Sequence, residues 1–158
     1  MSAPWKPSVT VAAVIERAGR FLIIEEHTSA GLRLNQPAGH LDPGESLLQA
    51  VVRETMEETA HDFTPTAIVG IYLARFRPQG ATEDVTYLRV TFCGDAGQDH
   101  GTALDDGIVR VLWLTYEELA ACRERHRSEL VLQCVEDYRR GMRAPLTLLV
   151  THPSVAEA

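Results

Sequence analysis

The sequence has no run of about eighteen apolar residues, which removes a membrane-spanning helix from the expectations. Its opening "MSAPWKPSVTVAAV" lacks a basic region, a continuous apolar stretch and a small-residue cleavage site, so no secretory signal is read there. A cytoplasmic protein is the resulting expectation. Cysteine is scarce as well: Cys93, Cys122 and Cys134 are odd in number, far apart and never spaced as Cys-x-x-Cys. That pattern argues against a disulfide framework or a thiolate zinc site, and it predicts reduced thiols in or near the core. Positive charge is also short. A formal net charge of -7 disfavours a protein that wraps nucleic acid on a basic face. Lysine is nearly missing: Lys6 stands alone among fifteen basic residues, and the others are arginines, whose planar fork matches phosphate or carboxylate oxygens. Genome composition alone would produce the same bias. No internal repeat or low-complexity tract divides the chain, so its 158 residues are expected to form one domain over residues 1–150 with a short frayed tail over 151–158.

What is present is an alternation of apolar runs and turn residues. Residues 9–14 and 21–24, separated by "ERAGR", read together as a β-hairpin. The polar segment 27–33 and the Pro/Gly-punctuated "LNQPAGHLDPGES" read as a loop with turns. Helical spacing begins at Ser46, which forms a capping-box signature with Gln49 and precedes Leu48, Val51, Val52, Thr55 and Thr59 at offsets of three and four. Strand-like runs follow at 67–76, 85–92 and 109–114. Helical patterns occupy 115–125 and 128–141, the second stopped by Gly141, and the apolar run 146–150 suits a strand or hook. The order is β-β-loop-α-β-β-β-α-α.

The stretch "GHLDPGESLLQAVVRETMEET", residues 39–59, carries five carboxylates in twenty-one positions. On a helix at about 100° per residue, Glu54, Glu57 and Glu58 share a stripe beside the packing stripe. Their like-charge pairs cost roughly a few tenths of a kcal/mol each, and Arg53 is the only basic residue on the helix to offset them. A solvated acidic face is the ordinary outcome of such a composition. A divalent cation would instead convert the repulsion into binding. Hard oxygen ligands with no Cys or His among them suit magnesium or manganese over zinc or copper, and the glycine-containing turn ahead of the helix can add carbonyl ligands.

Gly39, Glu45, Arg53, Glu54, Glu57 and Glu58 match the Nudix hydrolase signature in identity and spacing. The signature reads Gly, five residues, Glu, seven residues, Arg-Glu, an aliphatic position, one residue, Glu-Glu, one residue, Gly and an aliphatic position. The chain therefore resembles that family. The resemblance implies an α/β/α sandwich with a mixed β-sheet and the signature loop-helix-loop, and magnesium-dependent cleavage (Mg2+, with Mn2+ as the alternative) of a diphosphate linked to another moiety. It implies Glu54 and Glu58 as principal metal ligands and Glu57 as a further ligand or polariser of metal-bound water. The Ala38 carbonyl would be another ligand, and Arg53 would pair with Glu45 to hold the loop that opens at Gly39. Three positions depart from the signature: Thr55 and His61 replace aliphatic residues and Ala60 replaces the glycine. Because alanine resists the left-handed region by about 1 kcal/mol, the helix is expected to run a residue or two further. His61 would then turn toward the carboxylate side or serve as a surface or capping histidine, and His40 is read as an orienting residue.

Phosphoanhydride hydrolysis needs water delivered in line and charge neutralised on the phosphate oxygens. The family often takes its final proton acceptor from a loop outside the signature. Asp105 or Asp106 in "GTALDDGIVRVLW" is chosen for that role, with Glu83 and Asp84 competing and a simple turn as the alternative. Arg33, Arg75, Arg77 and Arg89 are the candidate substrate contacts, Arg75 and Arg77 on one strand face. A wider resemblance over roughly residues 6–146, including "YLRVTF" and "RSELVLQCVEDYRRGMRAPL", is to phosphatases of the same family. It implies orthophosphate release from nucleoside tri- and diphosphates, and conversion of hydroxymethylpyrimidine diphosphate, a thiamine-pathway intermediate, to its monophosphate. The alternatives are a pyrophosphohydrolase of nucleotide sugars, dinucleoside polyphosphates or oxidised nucleotides, and a non-catalytic nucleotide-binding module. The expected partner is a small-molecule diphosphate or nucleotide, with no nucleic acid and no membrane, and the chain a monomer or homodimer.

Overall fold

In the computed structural model, which describes residues 1–78 and 80–157, side-chain alternation along the strands feeds two cores. Strand β1 (Ser8–Val14) sends Val11 and Ala13 to one core and Val14 to the other. Strand β3 (Arg20–Thr28) likewise divides Leu22 from Phe21 and Ile23, and β7 (Val85–Asp99) divides Val90 and Phe92 from Cys93. Helix α1 (Leu47–Thr59) closes the first core with Ala50 and Val51. Helix α3 (Leu130–Arg139) closes the second with Val131, Cys134 and Val135. The result is the expected α/β/α sandwich.

One sheet has the order β5 (Ala38–His40), β1, β7, β6 (His61–Phe76); β1 and β7 are parallel and the other pairs antiparallel, so the sheet is mixed. In the other, β3 pairs with β2 (Glu16–Arg17) and β4 (Gly31–Asn35) along one side and with β8 (Ile108–Thr115) along the other. A short helix α2 (Tyr116–Ala120) and a 3-10 turn, Arg123–Arg125, precede α3.

Several expectations are corrected. The runs 9–14 and 21–24 belong to different sheets, because both edges of β1 are taken by β5 and β7. The hairpin is the two-residue β2 against β3, turning through Ala18 and Gly19 at positive φ. Residues 27–40 are not one loop: they hold the end of β3, β4 and β5. The next strands run past the apolar segments, over 61–76 and 85–99, with register shifts at 61–63, 65–67 and 68–70. The middle shift begins at Pro65, which lacks an N–H and pairs on this side only with β7. The run 146–150 forms a 3-10 turn, Leu146–Leu148, and Ala144 exchanges two backbone hydrogen bonds with Ile68. Within the described part of the tail, which the sequence predicts to fray, Pro153–Val155 makes a 3-10 turn capped by His152 and lines a groove with Ser46 and Gln49. Cys93, Cys122 and Cys134 are free thiols, as the sequence predicts.

The expected extension of α1 is also wrong. The helix stops at Thr59, and Ala60 takes φ 58°. Its N–H still reaches the Met56 carbonyl, and its own carbonyl accepts the His100 N–H at 2.8 Å as β6 begins pairing at His61. Sheet pairing outweighs a left-handed cost of about 1 kcal/mol. His61 is consequently buried, its Nδ1 2.7 Å from the Thr59 carbonyl oxygen and its ring edge-on to Trp113.

The β6–β7 ribbon contains a close backbone approach that yields a prediction. A methyl at Gly94 would meet the Thr64 carbonyl oxygen at 2.0 Å, beside the Pro65 irregularity. Gly94→Ala is expected to lower unfolding free energy by about 3 kcal/mol, checked by urea denaturation at constant m-value.

Candidate active site

The site grows from the start of α1. Ser46 Oγ accepts the Gln49 N–H at 3.1 Å and Gln49 Oε1 accepts the Ser46 N–H at 2.7 Å, closing the expected capping box. The buried face is Ala50, Val51, Glu54, Thr55, Glu58 and Thr59, while Val52 is exposed. Glu54 and Glu58, 8% and 7% exposed, therefore lie inside the packing stripe and not beside it. Thr55 and Thr59 are tolerated there because their hydroxyls donate to the Val51 and Thr55 carbonyls at 2.8 and 2.6 Å.

Arg53 makes five hydrogen bonds, one for each of its N–H donors. Its Nε and Nη2 hold Glu45 at 2.9 and 2.6 Å, and Nη2 also reaches the His40 carbonyl at 3.0 Å. Nη1 reaches Glu54 at 2.8 Å and Glu57 at 3.1 Å. His40 thus takes part through its backbone. The Arg53 guanidinium, helped by the Asp42 N–H, holds the Glu45 carboxyl below the usual carboxylate range despite burial.

The signature loop closes on the same carboxylates. A Cβ at Gly39 would stand 2.1 Å from the Glu54 carboxylate, so β5 can approach only because that position is glycine. The Ala38 N–H donates to Glu58 Oε2 at 3.0 Å. Burial nevertheless pushes Glu58 up to about 9, with the charges of Glu54, Glu26 and Asp105 adding to the effect. Glu54 is raised as well, by burial first, with Arg53 opposing and Glu57 and Asp105 reinforcing.

Asp105 is brought to the helix by its backbone, whose N–H donates to the Glu57 carbonyl at 2.9 Å. Asp106 follows in an exposed turn closed by the Ile108 N–H on the Asp105 carbonyl. Glu26 was missed in the sequence. Alternation along 20–28 puts it on the face of Leu22, but its approach to Glu58 needs the two sheets assembled. Arg33 pairs across β4 with Glu26 in register. Arg75 and Arg77 do converge on an anion, but it is Asp84, at 3.0 and 2.7 Å, so these three residues are engaged with one another at the far end of the ribbon. Arg89 is buried against Gln36.

The donor chemistry of Glu54, Glu57, Glu58 and the Ala38 carbonyl suits a hard divalent cation. Among the described residues, no three acidic or histidine side chains converge closely enough to enclose an ion. Glu54 and Glu57 lean on Arg53 instead, so cation capture requires them to turn from it.

A buried acid cluster clamped by one arginine under a glycine turn, on this sandwich, defines a class of enzyme. Residues 4–134 match the NUDIX domain, and the chain belongs to the Nudix hydrolase family, enzymes that act on phosphoanhydrides. Among individual proteins, it is 33% identical over 146 residues to Phosphatase NudJ of Escherichia coli strain K12, covering 92% of each chain. A NUDIX hydrolase from Nitrosomonas europaea superposes with a TM-score of 0.87 at 47% identity, over 93% of this chain and 98% of that one. A UDP-X diphosphatase shares the fold, with a TM-score of 0.70 at 16% identity over 91% of this chain and 68% of that one.

The opposite shifts of Glu58 and Glu45 set a pH dependence. Glu45, depressed, contributes stability above the ordinary carboxylate range that is lost as pH falls through its lowered value. Glu58 behaves inversely: from about pH 4.5 to 9 the fold holds a proton that the unfolded chain has released, so stability declines as pH rises. In chelator, Glu58→Gln is expected to raise stability at pH 8.5 by on the order of 2 kcal/mol and to flatten the decline from pH 6 to 9, read from urea unfolding across that range.

Proposed function

We propose that the protein is a magnesium-dependent phosphatase of nucleoside tri- and diphosphates that releases orthophosphate, and that it converts hydroxymethylpyrimidine diphosphate to its monophosphate in the thiamine pathway. The observation that carries this reading is the burial of Glu54 and Glu58 beneath the Ala38–Gly39 turn in a chain similar to Phosphatase NudJ over 92% of its length. Glu54, Glu57, Glu58 and the Ala38 carbonyl would hold Mg2+ or Mn2+. When bound, the ion neutralises charge on the phosphate oxygens and acidifies water.

The chain's own residues do the rest. Arg53 fixes the loop through Glu45 and the His40 carbonyl, and the Ala38 N–H restrains one oxygen of Glu58. Asp105 takes the proton of the attacking water, a role supported by its charge being felt at both Glu54 and Glu58. Asp106 serves the turn. Arg33, on the face of Glu26, meets the phosphate, and Arg75 and Arg77, committed to Asp84, are released from that role. We read residues 1–150 as one catalytic domain followed by a short tail, acting as a monomer or homodimer without nucleic-acid or membrane partners. A cytoplasmic setting is supported by three free thiols. No helix among the described residues is long and apolar enough to cross a membrane.

Products decide the reading. With magnesium and a panel of nucleoside tri- and diphosphates and hydroxymethylpyrimidine diphosphate, orthophosphate is expected in excess of pyrophosphate. Dominant pyrophosphate would assign the chain to the pyrophosphohydrolases, and no turnover across the panel would leave a binding module. Asp105→Asn is expected to lower kcat about a hundredfold with the fold intact; an unchanged kcat would remove Asp105 from the mechanism.

A further inference from the structure

Arg89 is the buried cation that the mechanism above does not use. It lies on β7 and is 7% exposed, with Thr10 of β1 and Tyr72 of β6 as its in-register neighbours. Among the described residues no carboxylate forms an ion pair with it. Its Nη2 donates to Gln36 Oε1 at 2.8 Å, and its Nε is buried without a partner. Gln36, 1% exposed, cannot turn to help, because its Nε2 is held by the Val131 carbonyl at 2.5 Å. A buried guanidinium is ordinarily matched by an anion or by a full set of acceptors. Here a neutral amide holds one nitrogen of the fork and leaves the buried Nε–H unpaired.

The surrounding groups are satisfied and do not fill that edge. The Tyr72 hydroxyl donates to Asp137 at 2.7 Å, and Asp137 also holds Arg140. Thr91, two residues along the same face, contacts Cys134. Tyr87, two residues the other way and partly exposed, packs against Phe76 with ring centroids 6.4 Å apart. Aromatic surface beside one fixed donor edge suits a flat heterocycle bearing a carbonyl or ring-nitrogen acceptor. The position suits it too. Gln36, which holds Arg89, is two residues from Ala38, whose N–H holds Glu58, so at most about 7 Å of chain separates the residue that orients Arg89 from the residue that restrains the acid cluster.

We propose that Arg89, oriented by Gln36, donates its Nε–H to an acceptor on the non-phosphoryl ring of the substrate, a nucleobase or a free pyrimidine, and so sets substrate preference. This rests on the reading of the chain as a nucleotide or pyrimidine phosphate hydrolase.

The test uses the full chain without metal and ligands without phosphate. Nucleosides and hydroxymethylpyrimidine are titrated while the 15N–1H resonance of Arg89 Nε is followed. At least one ligand is expected to shift that resonance saturably, and Arg89→Lys is expected to weaken its binding at least tenfold. A resonance that no ligand moves, or equal binding by the variant, would overturn the proposal. The wild-type resonance decides by itself even where the variant does not fold. In turnover, Arg89→Lys should lower kcat/KM for nucleoside diphosphates relative to inorganic tripolyphosphate at least tenfold, and a parallel loss on both would also overturn it. Because the titration needs no catalysis, a failure of the phosphatase reading leaves its result separately interpretable.

Discussion

Arg53 is the constraint on which the rest of this site depends. One planar cation meets Glu45, Glu54, Glu57 and the His40 carbonyl, so the loop, the helix and the acid cluster share a single fastener. A lysine could carry the charge but not the five directed donors. An exposed ion pair contributes under about 1 kcal/mol, yet this guanidinium is about three-quarters buried and Glu45 and Glu54 are more so, which makes loss of one member of these pairs costly. Without it, the like charges on α1 would face each other across one helical turn, in the stripe that must also pack against β1 and β7.

That compensation is deliberately incomplete in its geometry. Arg53 reaches Glu45 and Glu54 but not Glu58, which has only the Ala38 N–H to set against burial and three neighbouring acids. The two ends of the cluster therefore behave differently. Glu45 is a settled structural anion, whereas burial disfavours the charged form of Glu58, a penalty that a divalent cation would relieve. A buried acid of this kind lowers local stability, and the surrounding core supplies the margin. Burying Val51 and its neighbours is worth about 2 kcal/mol per side chain, against a few tenths for each repulsive pair.

The local parts of this arrangement were legible in the sequence because they depend on spacing along a few residues. The capping box at Ser46 and Gln49, the signature glutamates and the glycine before them follow from short-range rules. What failed was what the sheets decide. Ala60 adopts the left-handed conformation because His100, forty residues on, pairs with its carbonyl. The hairpin expected from residues 9–24 gives way because β7, far along the chain, takes the edge of β1. Arg75 and Arg77 looked like anion ligands and are, but for the chain's own Asp84. Alternation gives the face of Glu26 but not its neighbours, and Gln36 has no spacing signature, since each becomes meaningful only when a second strand or helix is beside it.

The segment 34–40 shows how little chain is needed to join these non-local parts. The Leu34 carbonyl accepts the Arg127 N–H, Gln36 orients Arg89, and the Pro37 carbonyl accepts the Ala13 N–H at 2.9 Å. Then Ala38 restrains Glu58, Gly39 admits Glu54, and the His40 carbonyl receives Arg53. Strand alternation lets neighbouring residues serve opposite faces, so one short run of backbone borders both the acid cluster and the buried guanidinium. A displacement of β5 against β1 would move both together, because the chain between them is too short and too well paired to absorb it. The acid cluster and the buried guanidinium are thus tied mechanically through the backbone, and the sheet sets their spacing.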